Sequence, residues 1–222
     1  MSKKVKKEKK RMSNRKKLIL CVTTVLVILV LFFGYNKFIK KDNSASKPKV
    51  VDEIKSFNYV VNENDTKLFK KTFTELKEEL SKKEVDNKKY AELVAKLFVI
   101  DFFNLGNKTS KNDIGGVQFV YNSYQTDFVD YARDGIYKQV GNNIYGDIKQ
   151  NLPTVKSVNV SNIEEVDPTS IFGSDVYNQG ENSKGYEITL DWTYDNSNGF
   201  QDKATLTIVT DGEKLSVAKM EE

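Results

Sequence analysis

The 222-residue chain contains no histidine and a single cysteine, Cys21. Without histidine there is no Ser–His–Asp triad, no Cys–His nucleophile pair and no ordinary zinc ligand set. One cysteine leaves no disulfide within the chain. Proline is nearly as scarce, at three residues. No internal repeat is present, and the Gly115-Gly116 pair is not followed by the Lys-Ser/Thr of a phosphate-binding loop. The sequence therefore leads to an expectation of no catalytic constellation, no metal and no cofactor.

Acid is almost missing from the first 17 residues, where Glu8 stands against Lys3, Lys4, Lys6, Lys7, Lys9, Lys10, Arg11, Arg15, Lys16 and Lys17. Charge of either sign is missing from the next stretch, Leu18 to Tyr35, LILCVTTVLVILVLFFGY. At about 1.5 Å per helical residue this run spans roughly 27 Å, close to the hydrocarbon core of a bilayer. A helix is the one single-segment structure that satisfies its own backbone there, so the run is expected to cross a membrane once. The positive-inside rule places the basic tail in the cytoplasm; Lys37, Lys40 and Lys41 on the other flank weaken that bias without reversing it. A cleaved signal peptide fits less well. The basic region is long, and the small triplet Ser44-Ala45-Ser46 lies beyond Lys40, Lys41 and Asp42. Only three apolar residues precede Cys21, so a lipoprotein signal fits poorly too.

The expected organisation is a basic cytoplasmic tail (1–17), a transmembrane helix (18–35), a polar stalk (36–53) and an extracellular α+β domain (54–222). The protein is then a single-pass cell-membrane protein with its C-terminal domain outside. The chain's net charge of +4 conceals a division: the tail carries +9, which leaves −5 for the rest, and −8 once Lys37, Lys40 and Lys41 are set aside. An acidic domain suits nucleic acid poorly, because phosphate neutralisation dominates such binding. The tail suits the anionic inner leaflet, at about 1 kcal/mol per basic residue near the surface. A disulfide-free exported domain rich in Lys, Asn, Ile, Tyr and Phe has the composition of low-GC Gram-positive bacteria.

Within the domain, Ile54 to Val61 reads as a short strand or extended lead-in. Leu68, Phe69, Phe73, Leu76 and Leu80 fall at helical spacing behind Asp65, an expected N-cap, and predict a helix over 66–82. Asp86-Asn87 opens a second helix, over 87–104, whose apolar residues surround most of its C-terminal half. Asp101 is the exception. At about 100° per residue it lies within about 40° of Tyr90, Val94 and Leu97. A carboxylate on an apolar face must be hydrogen-bonded, protonated or at the mouth of a pocket. It is read first as an acceptor for loop N–H groups or a tyrosine hydroxyl, and second as a functional acid. Residues 106–116 read as a loop, and Phe128, Tyr131, Ile136, Tyr137 and Val140 as a third helix over 126–141. The period then changes to two. Strands are expected over 154–166, 184–195, 201–210 and 213–220, with a loop over 169–183 and a tight turn at Asp211-Gly212.

Helices followed by an antiparallel meander define an α+β fold. The element order, together with YAELVAKLFVIDFFNL, DIGGVQFVY and ATLTIVTDGEKLSVAKM, resembles the nuclear transport factor two-like fold, in which a curved antiparallel sheet wraps helices into a cone. Mounted on one N-terminal anchor, the chain is distantly similar to the scaffold subunit of conjugation and type IV secretion machines. The resemblance implies an envelope interaction or scaffold protein that binds an envelope partner or itself, and the anchor, the stalk and the lack of a catalytic constellation lead to the expectation that it is not an enzyme. The same fold also hosts ligand binders and cavity enzymes. For those alternatives the candidate site residues are Asp101 with Tyr90, Tyr121 or Tyr131, in the manner of a carboxylate base beside oxyanion donors.

Overall fold

The computed structural model describes residues 48–144, 148–172, 183–196 and 199–221. The expected basic tail, membrane helix and residues 36–47 of the stalk lie outside the described residues. Among the described residues no helix is long and apolar enough to cross a membrane. The chain from Pro48 onward forms one compact unit, and it is an α+β domain.

Its centre is the helix Asn87–Phe102 (α2), preceded by α1, Lys67–Leu80. Asp86 caps α2 as its sequence predicts, accepting from the N–H groups of Lys88 (2.9 Å) and Lys89 (3.1 Å). Ten of the 16 residues of α2 are buried, so the helix is enclosed on more than one side, as its encircling apolar residues require. One of its faces meets Phe69, Phe73 and Leu76 of the amphipathic α1. The cap of α1 differs from the expectation. Thr66 Oγ1 accepts from Phe69 N at 3.1 Å, while Asp65 turns back and accepts from Asn62 N at 2.7 Å. Asp65 thus closes the turn before the helix, and the threonine takes the orphan donor. At the other end the buried Glu79 accepts from Asp86 N (3.0 Å) and from Lys82 Nζ (2.6 Å), and so joins α1 to the start of α2.

The opposite side of α2 lies across a four-stranded antiparallel sheet in the order β3-β4-β5-β6: Val155–Val166, Gly185–Tyr194, Lys203–Asp211 and Lys214–Glu221. Tyr186, Ile188, Leu190 and Trp192 form the buried row of β4, and Glu187, Thr189, Asp191 and Thr193 the other row. Trp192 packs on Phe103 with ring centroids 4.5 Å apart. Gly212, with φ 63°, occupies the first central position of the two-residue turn between β5 and β6, a place that demands glycine.

A second, two-stranded sheet pairs β1 (Val50–Ile54) with β2 (Tyr59–Asn62). Paired strand therefore begins at Val50, inside the stretch expected to be stalk, and the lead-in is a hairpin turned by a 3-10 segment, Lys55–Phe57, and Asn58 at φ 55°. The third helix is shorter than its spacing predicts. It runs from Gln125 to Asp134 (α3), breaks at Gly135 (φ −94°, ψ −114°) and continues as a 3-10 turn, Ile136–Gln139. The break carries Tyr137 into the core, where its hydroxyl finds two backbone partners. The expected loop after Val166 begins with a short helix, Pro168–Phe172 (α4): Asp167 accepts from Thr169 N at 2.9 Å, and proline takes the first helical position.

Candidate functional site

Asp101 sits in the last turn of α2, facing the loop 105–116. Its Oδ1 accepts from Lys108 Nζ at 2.6 Å and its Oδ2 from Gly116 N at 2.7 Å. Lys108 is the partner that the sequence did not reveal. Its side chain is 7% exposed and that of Asp101 18%. Burial pulls the Lys108 ammonium down, but the facing carboxylate of Asp101 and the nearby Tyr137 outweigh it. The net shift is upward, and the lysine stays charged.

The two glycines make this geometry. A Cβ on Gly115 would collide with the carbonyl oxygen of Asp101 and lie 2.6 Å from Lys108 Nζ. Gly116 holds φ 78°, and a Cβ there would lie 3.0 Å from the Phe98 ring. The Gly-Gly pair therefore lets the loop close on α2, and the Gly116 N–H donates to the protein's own carboxylate, Asp101. Tyr137 completes the loop: its hydroxyl donates to Phe102 O (2.8 Å) and accepts from Gly115 N (2.9 Å). Burial pushes that hydroxyl well above its ordinary range. Asp113 accepts from Thr109 N (2.9 Å) and Thr109 Oγ1 (3.1 Å). Outside the ion pair is a small polar cleft of about 80 Å³ lined by Asp65, Asp101, Asn107, Lys108 and Asp113. Burial, and after it the field of Asp101, raises the carboxyl of Asp65 above its ordinary value. No group of three or more metal-ligating side chains forms among the described residues.

The three candidate tyrosines do not join Asp101. The Tyr90 hydroxyl lies 3.0 Å from that of Tyr59 and accepts from Leu215 N at 3.1 Å; Tyr59 in turn donates to Leu215 O at 2.7 Å. Tyr90 lines a different cleft, beside Lys184 and Lys214. Tyr121 packs against Tyr124 with the rings tilted and their centroids 5.3 Å apart. Tyr131 is 80% exposed, on the rim of an apolar groove of about 280 Å³ between α3 and β6. Phe98, Val120 and Val217 form much of the lining of that groove, with Phe128 and Met220. Phe128 closes one wall, 5.8 Å from Phe98 and 5.0 Å from Phe102 by ring centroids.

Chemically, the Asp101 site is neutralised and hydrogen-bonded from within. The groove is the one of these three depressions with an apolar lining and a large exposed aromatic at its edge. Comparison with known protein families, with curated proteins and with solved structures finds no match to the chain.

Proposed function

We propose that the chain is a single-pass envelope protein, its basic tail in the cytoplasm and its folded domain outside, and that the domain is a non-enzymatic interaction module. On this reading the helices and the meander make the cone of the nuclear transport factor two-like fold. The domain serves a membrane-fixed assembly of the conjugation or secretion kind. The uncharged run 18–35 behind a +9 tail supports the topology. The order of α1, α2 and α3 before an antiparallel meander packed on α2 supports the fold. The internal pairing of Asp101 with Lys108 and Gly116 supports a structural role for that carboxylate.

One observation carries the interaction role: the apolar groove beneath Tyr131, a residue that is 80% exposed although it belongs to a helix packed on the core. Exposed aromatics beside an apolar depression are what protein interfaces are built from. The occupant is an apolar segment of a partner protein. A small apolar ligand is the second reading. The aromatic lining favours it, and the groove, at about 280 Å³, sits at the bottom of the about 300–1,000 Å³ usual for such sites.

The test replaces Tyr131 with a photo-crosslinking residue in the full-length chain in its native membrane, with Thr193 on the outer sheet face as the control position. A discrete protein adduct from position 131, absent from 193 and lost on Met220→Asp, is expected. Equal labelling from both positions, or none, refutes the groove as the interface. Loss of an enzymatic turnover on Asp101→Asn, with the fold intact, refutes the non-enzymatic reading. Protection of the domain from protease added to intact spheroplasts refutes its orientation.

A further inference from the structure

The two edges of the larger sheet are treated differently. Beyond β6, Val120 forms a parallel bridge to Val217, and Tyr121 N donates to Val217 O at 2.8 Å. Beyond β3, no strand pairs among the described residues. β3 is nevertheless the longest strand, at 12 residues, and contains no proline. Its apolar side chains Val158, Val160 and Ile163 are half-buried at the margin of the core.

The register states which backbone groups of β3 face outward. Trp192 N donates to Asp202 O, on the β5 side. Even-numbered residues of β4 therefore bond away from β3, since antiparallel residues alternate between their two neighbours. Their partners on β3 are Val158, Val160, Ile163 and Glu165, opposite Trp192, Leu190, Ile188 and Tyr186. These four residues turn N–H and C=O to the free edge. They are not evenly spaced, because the bulge between Val160 and Asn162 inserts a residue. A regular partner strand cannot match that spacing along its whole length. A second copy can: in antiparallel pairing about a two-fold axis between Ser161 and Asn162, Val158 falls opposite Glu165 and Val160 opposite Ile163. The two copies' bulges between Val160 and Asn162 then face each other and cancel, and the second bulge of β3, between Val155 and Ser157, lies outside the paired stretch 157–166.

Charge agrees with the same register. Over the paired stretch 157–166, Asn159 falls opposite Glu164, and no two like charges are opposed. We infer that β3 is a self-association edge, at which two copies of this chain pair antiparallel to form one continuous eight-stranded sheet. The half-buried Val158, Val160 and Ile163 become interior at the seam. The inference stands on β3 alone and is independent of the groove.

The register makes the test specific. Asn159 and Glu164 of different copies form a non-hydrogen-bonded pair, with Cα atoms about 4.5 Å apart, within disulfide reach. Full-length Cys21→Ser chains carrying Asn159→Cys or Glu164→Cys are co-expressed in one membrane and oxidised. A disulfide-linked dimer is expected in the mixture, reaching at most about half of the chains for random pairing. Either variant alone gives none, because its own cysteines are five residues out of register. Val160→Pro removes an outward N–H that pairs with no strand among the described residues, and is expected to abolish the crosslink. No dimer in the mixture, or equal dimer from either variant alone, overturns the inference.

Discussion

Replacing Lys108 with methionine removes the ammonium facing Asp101 and leaves that carboxylate with the Gly116 N–H as its protein donor. Breaking a buried pair at one end costs about 3–5 kcal/mol. Asp101 is 18% exposed and reaches the small cleft, so water recovers part of the loss. The lower end of that range applies, about 3 kcal/mol. For a domain of this size that is about 6–12 °C in Tm. Asp101→Asn alone strands the lysine, and its cost is similar. The double variant Asp101→Asn/Lys108→Met buries no charge and keeps an acceptor for Gly116, so it is expected within about 1 kcal/mol of the parent. The cycle therefore gives a coupling of about 5 kcal/mol, the two single costs less that of the double. The assay is thermal and urea unfolding of the full-length chain in detergent, followed by the fluorescence of Trp192, the chain's single tryptophan, packed on Phe103. Single variants that cost under about 1 kcal/mol, or a double variant equal to the sum of the singles, refute the reasoning.

Further outcomes follow from the same loop and from the groove. Gly115→Ala drives a methyl group against Asp101 and Lys108 and is expected to cost about 2–3 kcal/mol in the same unfolding assay. Gly116→Ala adds about 1–2 kcal/mol of left-handed backbone strain to a tight contact with Phe98. Burial raises the Asp65 carboxyl above its ordinary 3.8, so its contribution to stability is present below that value and is lost as pH rises through the folded-state value. Asp65→Asn, which cannot ionise, is therefore expected to raise Tm at pH 7 and to leave it unchanged at pH 3; a Tm increase of the same size at both values contradicts this. Tyr131→Ala touches an 80% exposed side chain and is expected to move stability by under about 0.5 kcal/mol in the same unfolding assay.

The elements that one-dimensional periodicity describes were legible in the sequence. The alternation of Tyr186, Ile188, Leu190 and Trp192 marks β4 to within a residue at each end, and Asp86 marks the start of α2. Asp101 was legible as a residue needing a partner, since burying a carboxylate on an apolar face admits few outcomes. Its partner was not. Lys108 stands in a polar loop that also holds Lys111, and nothing in the local pattern says which lysine folds inward. The choice is made by Gly115 and Gly116, whose missing side chains allow the loop to close on α2. The length of α3 is not legible for a related reason. Ile136, Tyr137 and Val140 keep helical spacing across Gly135, but tertiary hydrogen bonds to the Tyr137 hydroxyl decide the backbone there. The cap of α1 went to Thr66 because Asp65 has a competing backbone donor three residues earlier.

The β1–β2 hairpin bears on how the domain responds to a pull. Val50 lies opposite Asn62, so the entry of β1 and the exit of β2 are side by side. Tension entering at Pro48 therefore unzips that ladder one rung at a time instead of shearing it all at once. The unzipping stops at Tyr59, whose hydroxyl is fastened to Leu215 at the start of the last strand and to Tyr90 in the central helix. Once Asp52 has parted from Lys77, residues 50–53 pay out, about 13 Å at about 3.3 Å per residue, before Ile54 and Phe57, packed on the core, take up the force. Under such a pull the hairpin lengthens in series with the fold, and Tyr59 is its last fastening.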